Sequence, residues 1–151
     1  MEKISLKCKN CKYINSIPLE KIKNLNVIKC KNCKSIINIP VKPIEVGFGN
    51  FHEEVIENYG VTLVEFWSES SLYCKKMNRI LEDFAEENIG RLKVAMVNID
   101  KEAILSRQFG IQIVPTLLLF NNGKILSELT GALPKEELKN WLSYYFPLEK
   151  K

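Results

Sequence analysis

No run of apolar residues in this 151-residue chain approaches the roughly 18–20 that a membrane-crossing helix requires. The longest candidate, Ile113 to Phe120, is interrupted by Pro115 and Thr116. The opening Met-Glu-Lys-Ile-Ser-Leu-Lys-Cys has no apolar leader, so the expectation is no export and no membrane, with the cytoplasm as compartment. Histidine occurs once, at His52, which argues against a serine–histidine hydrolytic pair. Acidic residues are scarce at one end. Residues 1–42 carry ten lysines against Glu2 and Glu20, a net of +8, whereas residues 43–151 carry twelve Lys or Arg against sixteen acids, a net of −4. That basic segment holds a single aromatic, Tyr13. Charge without a stacking platform for bases argues against nucleic acid as a partner. Beyond residue 42 cysteine is nearly absent too, with Cys74 alone. The chain as a whole is 46% hydrophobic and 26% charged, the balance expected of a folded soluble protein.

The other four cysteines form a repeat. Leu6-Lys-Cys-Lys-Asn-Cys-Lys12 returns 22 residues later as Ile28-Lys-Cys-Lys-Asn-Cys-Lys34. Two C-x2-C turns eighteen residues apart suit a four-thiolate metal site, because each tight turn aims two sulfurs at one ion and two turns complete a tetrahedron. Zinc on Cys8, Cys11, Cys30 and Cys33 is the expectation. Two disulfides, or iron on the same ligands, are the alternatives at this point. Some forty residues bury too little apolar surface to fold alone, so metal would supply the missing stability. Knuckles of this kind often carry glycine after the second cysteine, where Lys12 and Lys34 stand. Charge and cysteine asymmetry, with Pro40 and Pro43 stiffening the chain, divide it into a zinc ribbon at 1–39, a linker at 40–43 and a main domain at 44–151.

The main domain alternates strand and helix. Val61–Trp67 is a nearly continuous apolar strand, and Cys74, Met77, Leu81, Phe84 and Ala85 share one face of a helix over 71–89. Asn50 with Glu53 predicts a capped helix. Strands are expected at 44–46, 92–99, 116–120 and 125–130, with a short helix at 101–109 and an Asn122-Gly123 hairpin turn. Pro134 suits the first helical position of a last helix striped by Leu138, Trp141, Leu142 and Tyr145. The order β-α-β-α-β-α-β-β-α implies an α/β fold with a mixed sheet.

Val64-Glu-Phe-Trp-Ser-Glu69 leading into Cys74-Lys75 resembles the active-site strand and helix of thioredoxin. Ile113-Val-Pro-Thr-Leu-Leu-Leu-Phe-Asn-Asn-Gly123 is similar to that family's cis-proline segment and hairpin, and Thr130-Gly-Ala132 to its late glycine motif. The ribbon resembles that of the zinc-binding bacterial thioredoxins. The resemblance implies a thioredoxin-like fold, thiol–disulfide exchange on protein or peptide thiols, and a thioredoxin-reductase-type partner. It also implies roles for Glu65 as the buried acid, Trp67 and the cis-proline Pro115. The family's Cys-x-x-Cys is matched by Ser71-Leu-Tyr-Cys74, with serine at the nucleophile and sulfur only at the resolving position. Serine at 71 stands there by nature or in place of a cysteine; either way no intramolecular disulfide can close. The family's second tryptophan is matched by Ser70, its lysine beside the buried acid by Met96, and its helix-kinking proline by Arg79, so a straighter helix is expected. Ser71 reads equally as a helix N-cap accepting from the backbone near Cys74. A carboxyl at 65 in an apolar strand needs a partner and a raised pKa. A cis-proline loop leaves backbone free for an extended peptide, so a non-enzymatic peptide-binding module that also uses the ribbon is the alternative reading.

Overall fold

The computed structural model describes residues 2–24 and 26–146. The first part is two short hairpins, β1 (Lys3–Lys7) with β2 (Ile14–Pro18) and β3 (Val27–Lys29) with β4 (Ile36–Asn38), separated by α1 (Leu19–Asn24). Ile4, Ile17, Leu19, Ile22 and Ile39 make its small core. Five side chains, at roughly 1.5–3 kcal/mol each, fall far short of the ordering entropy of this segment.

The second part is a five-stranded mixed sheet in the order β5-β7-β6-β8-β9. Its strands are β5 (Ile44–Glu45), β6 (Val61–Trp67), β7 (Leu92–Asn98), β8 (Thr116–Asn121) and β9 (Lys124–Thr130). The pairs β5–β7 and β6–β7 are parallel, and β6–β8 and β8–β9 antiparallel. Period-two alternation sends Leu63, Leu117 and Leu119 to one face, against α2 (Leu72–Glu87) and α4 (Lys135–Ser143). Val64, Phe66, Leu118 and Phe120 face the other layer, formed by the short helix His52–Ile56 and α3 (Ala103–Gln108). Both faces are covered, which is why β6 reads as an apolar run. The Asn122-Gly123 pair, at φ 51° and 80°, closes the predicted hairpin.

Three local expectations change. Asn50 does not build a capping box: its Oδ1 accepts from Gly47 N at 2.8 Å, so the helix begins at His52 without a side-chain cap and winds wide, Glu57 N donating to His52 O at 2.9 Å. Pro134 is the N-cap rather than the first helical residue, with an extended ψ of 154°. Tyr145 lies past the end of α4 and is partly exposed; Leu138 and Leu142 are the buried members of that stripe.

The two parts are packed together. Ile89 joins the small core of the first segment, and Gly90, at φ 80°, lets Ile4 and Ile22 approach where any Cβ would collide with both. Around this seat Arg91 Nε pairs with Glu2 at 3.2 Å, and Glu54 takes Lys9 at 2.9 Å and Lys93 at 2.7 Å. Burial opposes the charge of Glu54, but hydrogen bonds from Lys93 and Lys9 outweigh it and hold the carboxyl below its ordinary range.

Candidate active site and metal centre

The four knuckle cysteines converge. Their sulfurs all lie within 4.8 Å of one another, with Cys8 and Cys33 at 3.6 Å and Cys11 and Cys30 at 3.6 Å. None is disulfide-bonded. A tetrahedral ion with bonds of about 2.3 Å to sulfur sets its ligands about 3.8 Å apart, so this cluster has the dimensions of a loaded metal site. The repeat is visible in the outer contacts as well. Asn10 Nδ2 reaches Cys33 Sγ and Asn32 Nδ2 reaches Cys11 Sγ, both at 3.5 Å, so each knuckle's asparagine supports a sulfur of the other. Asn15 does the same for Cys30 at 3.5 Å. Such N–H donors favour thiolate over thiol. Cys33 is drawn down to about 5 by the Ser35 hydroxyl and then by Asn10.

Lys12 and Lys34 adopt φ of 68° and 67°, the left-handed turn that glycine serves in other knuckles. A side chain there costs roughly 1–2 kcal/mol, offset in part by the greater freedom glycine has when unfolded. Lys12→Gly is therefore expected to stabilise the metal-loaded segment by about 0.5–1 kcal/mol. Thermal unfolding of the loaded protein checks this, and a lower midpoint would refute it.

The second cluster lies at the other end of the sheet. β6 and β7 run parallel from Val61↔Leu92 to Trp67↔Asn98. The first segment sits against Gly90–Lys93 at their start, while Ser71 and Cys74 follow their far end, about 20 Å away at 3.3 Å per residue. Ser71 is the N-cap of α2: in extended conformation, its Oγ accepts from Cys74 N at 3.3 Å. Cys74 begins the buried stripe of α2 and its side chain is fully covered. α2 runs unbroken through Arg79. Phe66 pairs with Thr116, which carries Pro115 alongside Trp67, and the Val114–Pro115 peptide is cis. Pro115 O is taken by Gly131 N at 2.8 Å. Among the described residues the Val114 N–H and C=O have no hydrogen-bond partner. That edge is open to an extended chain.

Glu65 is fully buried between Leu63 and Trp67, on the face that meets α2. Its partner is Asn78, one turn beyond Cys74. With its amide nitrogen turned to the carboxyl, Asn78 donates to Glu65 Oε1 at 2.6 Å and Oε2 at 3.1 Å, and to Cys74 O at 2.8 Å. Burial alone is what pushes the Glu65 carboxyl up, to about 8. Between its ordinary 4.5 and about 8 the folded chain holds a proton that the unfolded chain has released, so stability falls as pH rises through that window and levels off above it. Glu65→Gln keeps the shape without the charge. It is expected to add about 3 kcal/mol at about pH 8 and under about 1 kcal/mol at about pH 5. Urea unfolding at the two pH values reads the difference, and an equal effect at both would show that the proton is not held.

Sequence reasoning missed two features here. Asn78 carried a signal, a polar residue one position from the inward stripe of α2. The other is a polar knot over the site: Ser68 Oγ donates to Asp100 Oδ2 at 2.7 Å and lies 3.0 Å from Ser70 Oγ. Asp100 is 32 positions away in the chain, and no local pattern links it to Ser68. Trp67 Nε1 is buried beside this loop without a partner among the described residues. His52 sits on the short helix, its Nε2 4.0 Å from Glu57.

Comparison with known proteins agrees with this architecture. The thioredoxin family model matches residues 42–144, and the chain belongs to the thioredoxin family. It is 37% identical over 102 residues to a thioredoxin of Buchnera aphidicola subsp. Baizongia pistaciae, covering 68% of this chain and 94% of that one. A thioredoxin of Buchnera aphidicola subsp. Schizaphis graminum is 38% identical over 101 residues, 67% of this chain and 94% of its own. One from Haemophilus influenzae is 30% identical over 102 residues, 68% and 95% of the two chains. Four cysteines close enough to hold a metal ion precede the family domain. No helix among the described residues is long and apolar enough to cross a membrane.

Proposed function

We propose that this chain comes from a cytoplasmic thiol–disulfide oxidoreductase lineage acting on protein disulfides or mixed disulfides, and that its Ser71-x-x-Cys74 site is either a natural monothiol variant or a serine form of the exchange-competent cysteine site. The observation that supports it is the placing of Ser71 as the N-cap of α2, with Cys74 directly beneath and the cis Val114–Pro115 edge beside Trp67. In this reading the attacking sulfur is the one part of an exchange site that is missing. Trp67 and Pro115 shape the surface, Glu65 is the buried acid, and Cys74 is the resolving sulfur. A thioredoxin-reductase-type protein would be the matching electron donor for the cysteine form of the site, which alone can close a disulfide. In the cysteine cluster the ion is zinc, held by Cys8, Cys11, Cys30 and Cys33; bound there it would supply structural cross-linking of two hairpins rather than chemistry at Ser71.

A second reading is a binding module that holds extended peptides without turnover. It is favoured by the complete burial of Cys74 and by the unpaired Val114 backbone. The ribbon would then be a separate contact surface, since it occupies the opposite end of the sheet. Disulfide reduction by Ser71→Cys separates the two: gain of activity supports the first, and a dead variant that still binds extended peptides supports the second.

A further inference from the structure

The outward face of α2 carries charge in an order that helix stability does not explain. Its first turn has no acid and its last turn no base. Lys75, Lys76 and Arg79 lie exposed in the N-terminal half, while Glu82, Asp83, Glu86 and Glu87 follow in the C-terminal half. The macrodipole favours the reverse. Lys135 binds Asp83 at 3.3 Å and Glu87 at 3.0 Å, but among the described residues no carboxylate pairs with Lys75, Lys76 or Arg79. A local rule broken without internal compensation marks a surface shaped for something outside the fold.

Beside those cations the chain exposes large apolar groups. Leu72 is 74% exposed and Tyr73 67%, and with Lys75, Lys76 and Arg79 they line one shallow groove of about 520 Å³ that opens next to Ser71. Ile113, 56% exposed, directly precedes the free Val114 backbone. Apolar anchors, an open backbone edge and three unpaired cations together describe a seat for a peptide, not for a base-stacked strand, since Tyr73 is the only aromatic in the groove.

We infer that this groove selects acidic target segments: an extended peptide whose reacting residue lies at Ser71 and Pro115, with an apolar neighbour on Leu72 and Tyr73 and Asp or Glu side chains on Lys75, Lys76 and Arg79. The inference rests on the proposed site for its location and names the target class of that site. Coulombic attraction of this kind acts chiefly on encounter and specificity, and salt weakens it.

The test needs neither a thiol nor turnover, so it stands apart from the fate of the redox reading. Three fluorescent ten-residue peptides share a central Leu-Ser and differ only in flanking Glu, Gln or Lys. Anisotropy with the chain as it stands is expected to show the Glu peptide binding at least about tenfold tighter than the Gln peptide at low salt, and the Lys peptide weakest. The advantage should shrink to about twofold at 0.5 M salt, roughly, where the screening length falls to a few ångströms. A Lys76→Glu/Arg79→Glu variant should reverse the order, with its thermal midpoint recorded to show that it folds. Equal affinity for the three peptides, no binding by any, a preference that survives charge reversal, or displacement of the Glu peptide by a single-stranded oligonucleotide at lower concentration would each overturn the inference.

Discussion

Ser71→Cys is expected to turn a chain that leaves insulin disulfides intact into one that reduces them about tenfold or more faster than dithiothreitol alone. The exchange cycle begins with a thiolate attacking a disulfide sulfur, and an alcohol oxygen cannot form that mixed disulfide. Cys74 cannot take over the attack, because its side chain is fully covered on the inward stripe of α2. Sulfur at position 71 would stand at the N-terminus of a sixteen-residue helix, where unpaired N–H groups and the macrodipole favour thiolate. Three residues on, Cys74 is placed to resolve the adduct. Met96, standing where the family has a lysine beside the buried acid, should keep the restored rate below that of an ordinary thioredoxin. Insulin precipitation with both forms is the measurement. Catalysis by the serine form would refute the chemical argument, and a folded but inactive cysteine form would leave peptide binding as the function.

The second large effect concerns the metal. Chelation is expected to unfold residues 2–39 while the five-stranded sheet persists, because that segment has five buried core side chains and an ion-binding free energy of about 10–16 kcal/mol in comparable sites. Metal analysis should find one zinc per chain. After chelation, hydrogen exchange of the β1–β2 and β3–β4 amides should rise to nearly unprotected rates, with β6 and β7 amides unchanged. Cys30→Ser should reproduce the result without chelator. Protection that survives with four free thiols would show that the hairpins stand on their own packing. Isolation of the native protein with two disulfides would overturn both the ion and the cytoplasmic assignment.

The parts of this molecule written in short-range pattern were readable. Two identical knuckles announce a four-sulfur cluster, Val61–Trp67 announces a doubly covered strand, and Cys74 through Ala85 announce an inward helical stripe; the structure contains all three. Reading failed where several uses competed for one residue. Asn50 looked like a cap, yet its side chain is better satisfied by Gly47 N, three residues back. Pro134 fits either side of a helix start, and the sequence does not distinguish a ψ of 154° from a helical one. Pairings across long stretches of chain left no trace at all. Nothing local joins Ser68 to Asp100, or Lys9 to Glu54 and Lys93. Gly90 carried no signal in the sequence, because its neighbours Ile4 and Ile22 arrive from the far end of the chain.

That glycine has a consequence for heredity and for engineering. A metal-binding hairpin pair looks like an accessory that could be moved from one thioredoxin to another by splicing at the prolines near residue 40. Here the recipient must already own a notch. An alanine at 90 would be strained at φ 80° and would have to push aside the tips of Ile22 and Ile4, and an uncharged residue at 54 would leave the amino group of Lys93, whose burial holds it below its ordinary range, with only the backbone oxygen of residue 54. Fusion alone would produce a tethered appendage, loosely swinging, rather than a united body. At this point of contact a left-handed turn glycine leaves the room that the ends of two isoleucines from the other half occupy.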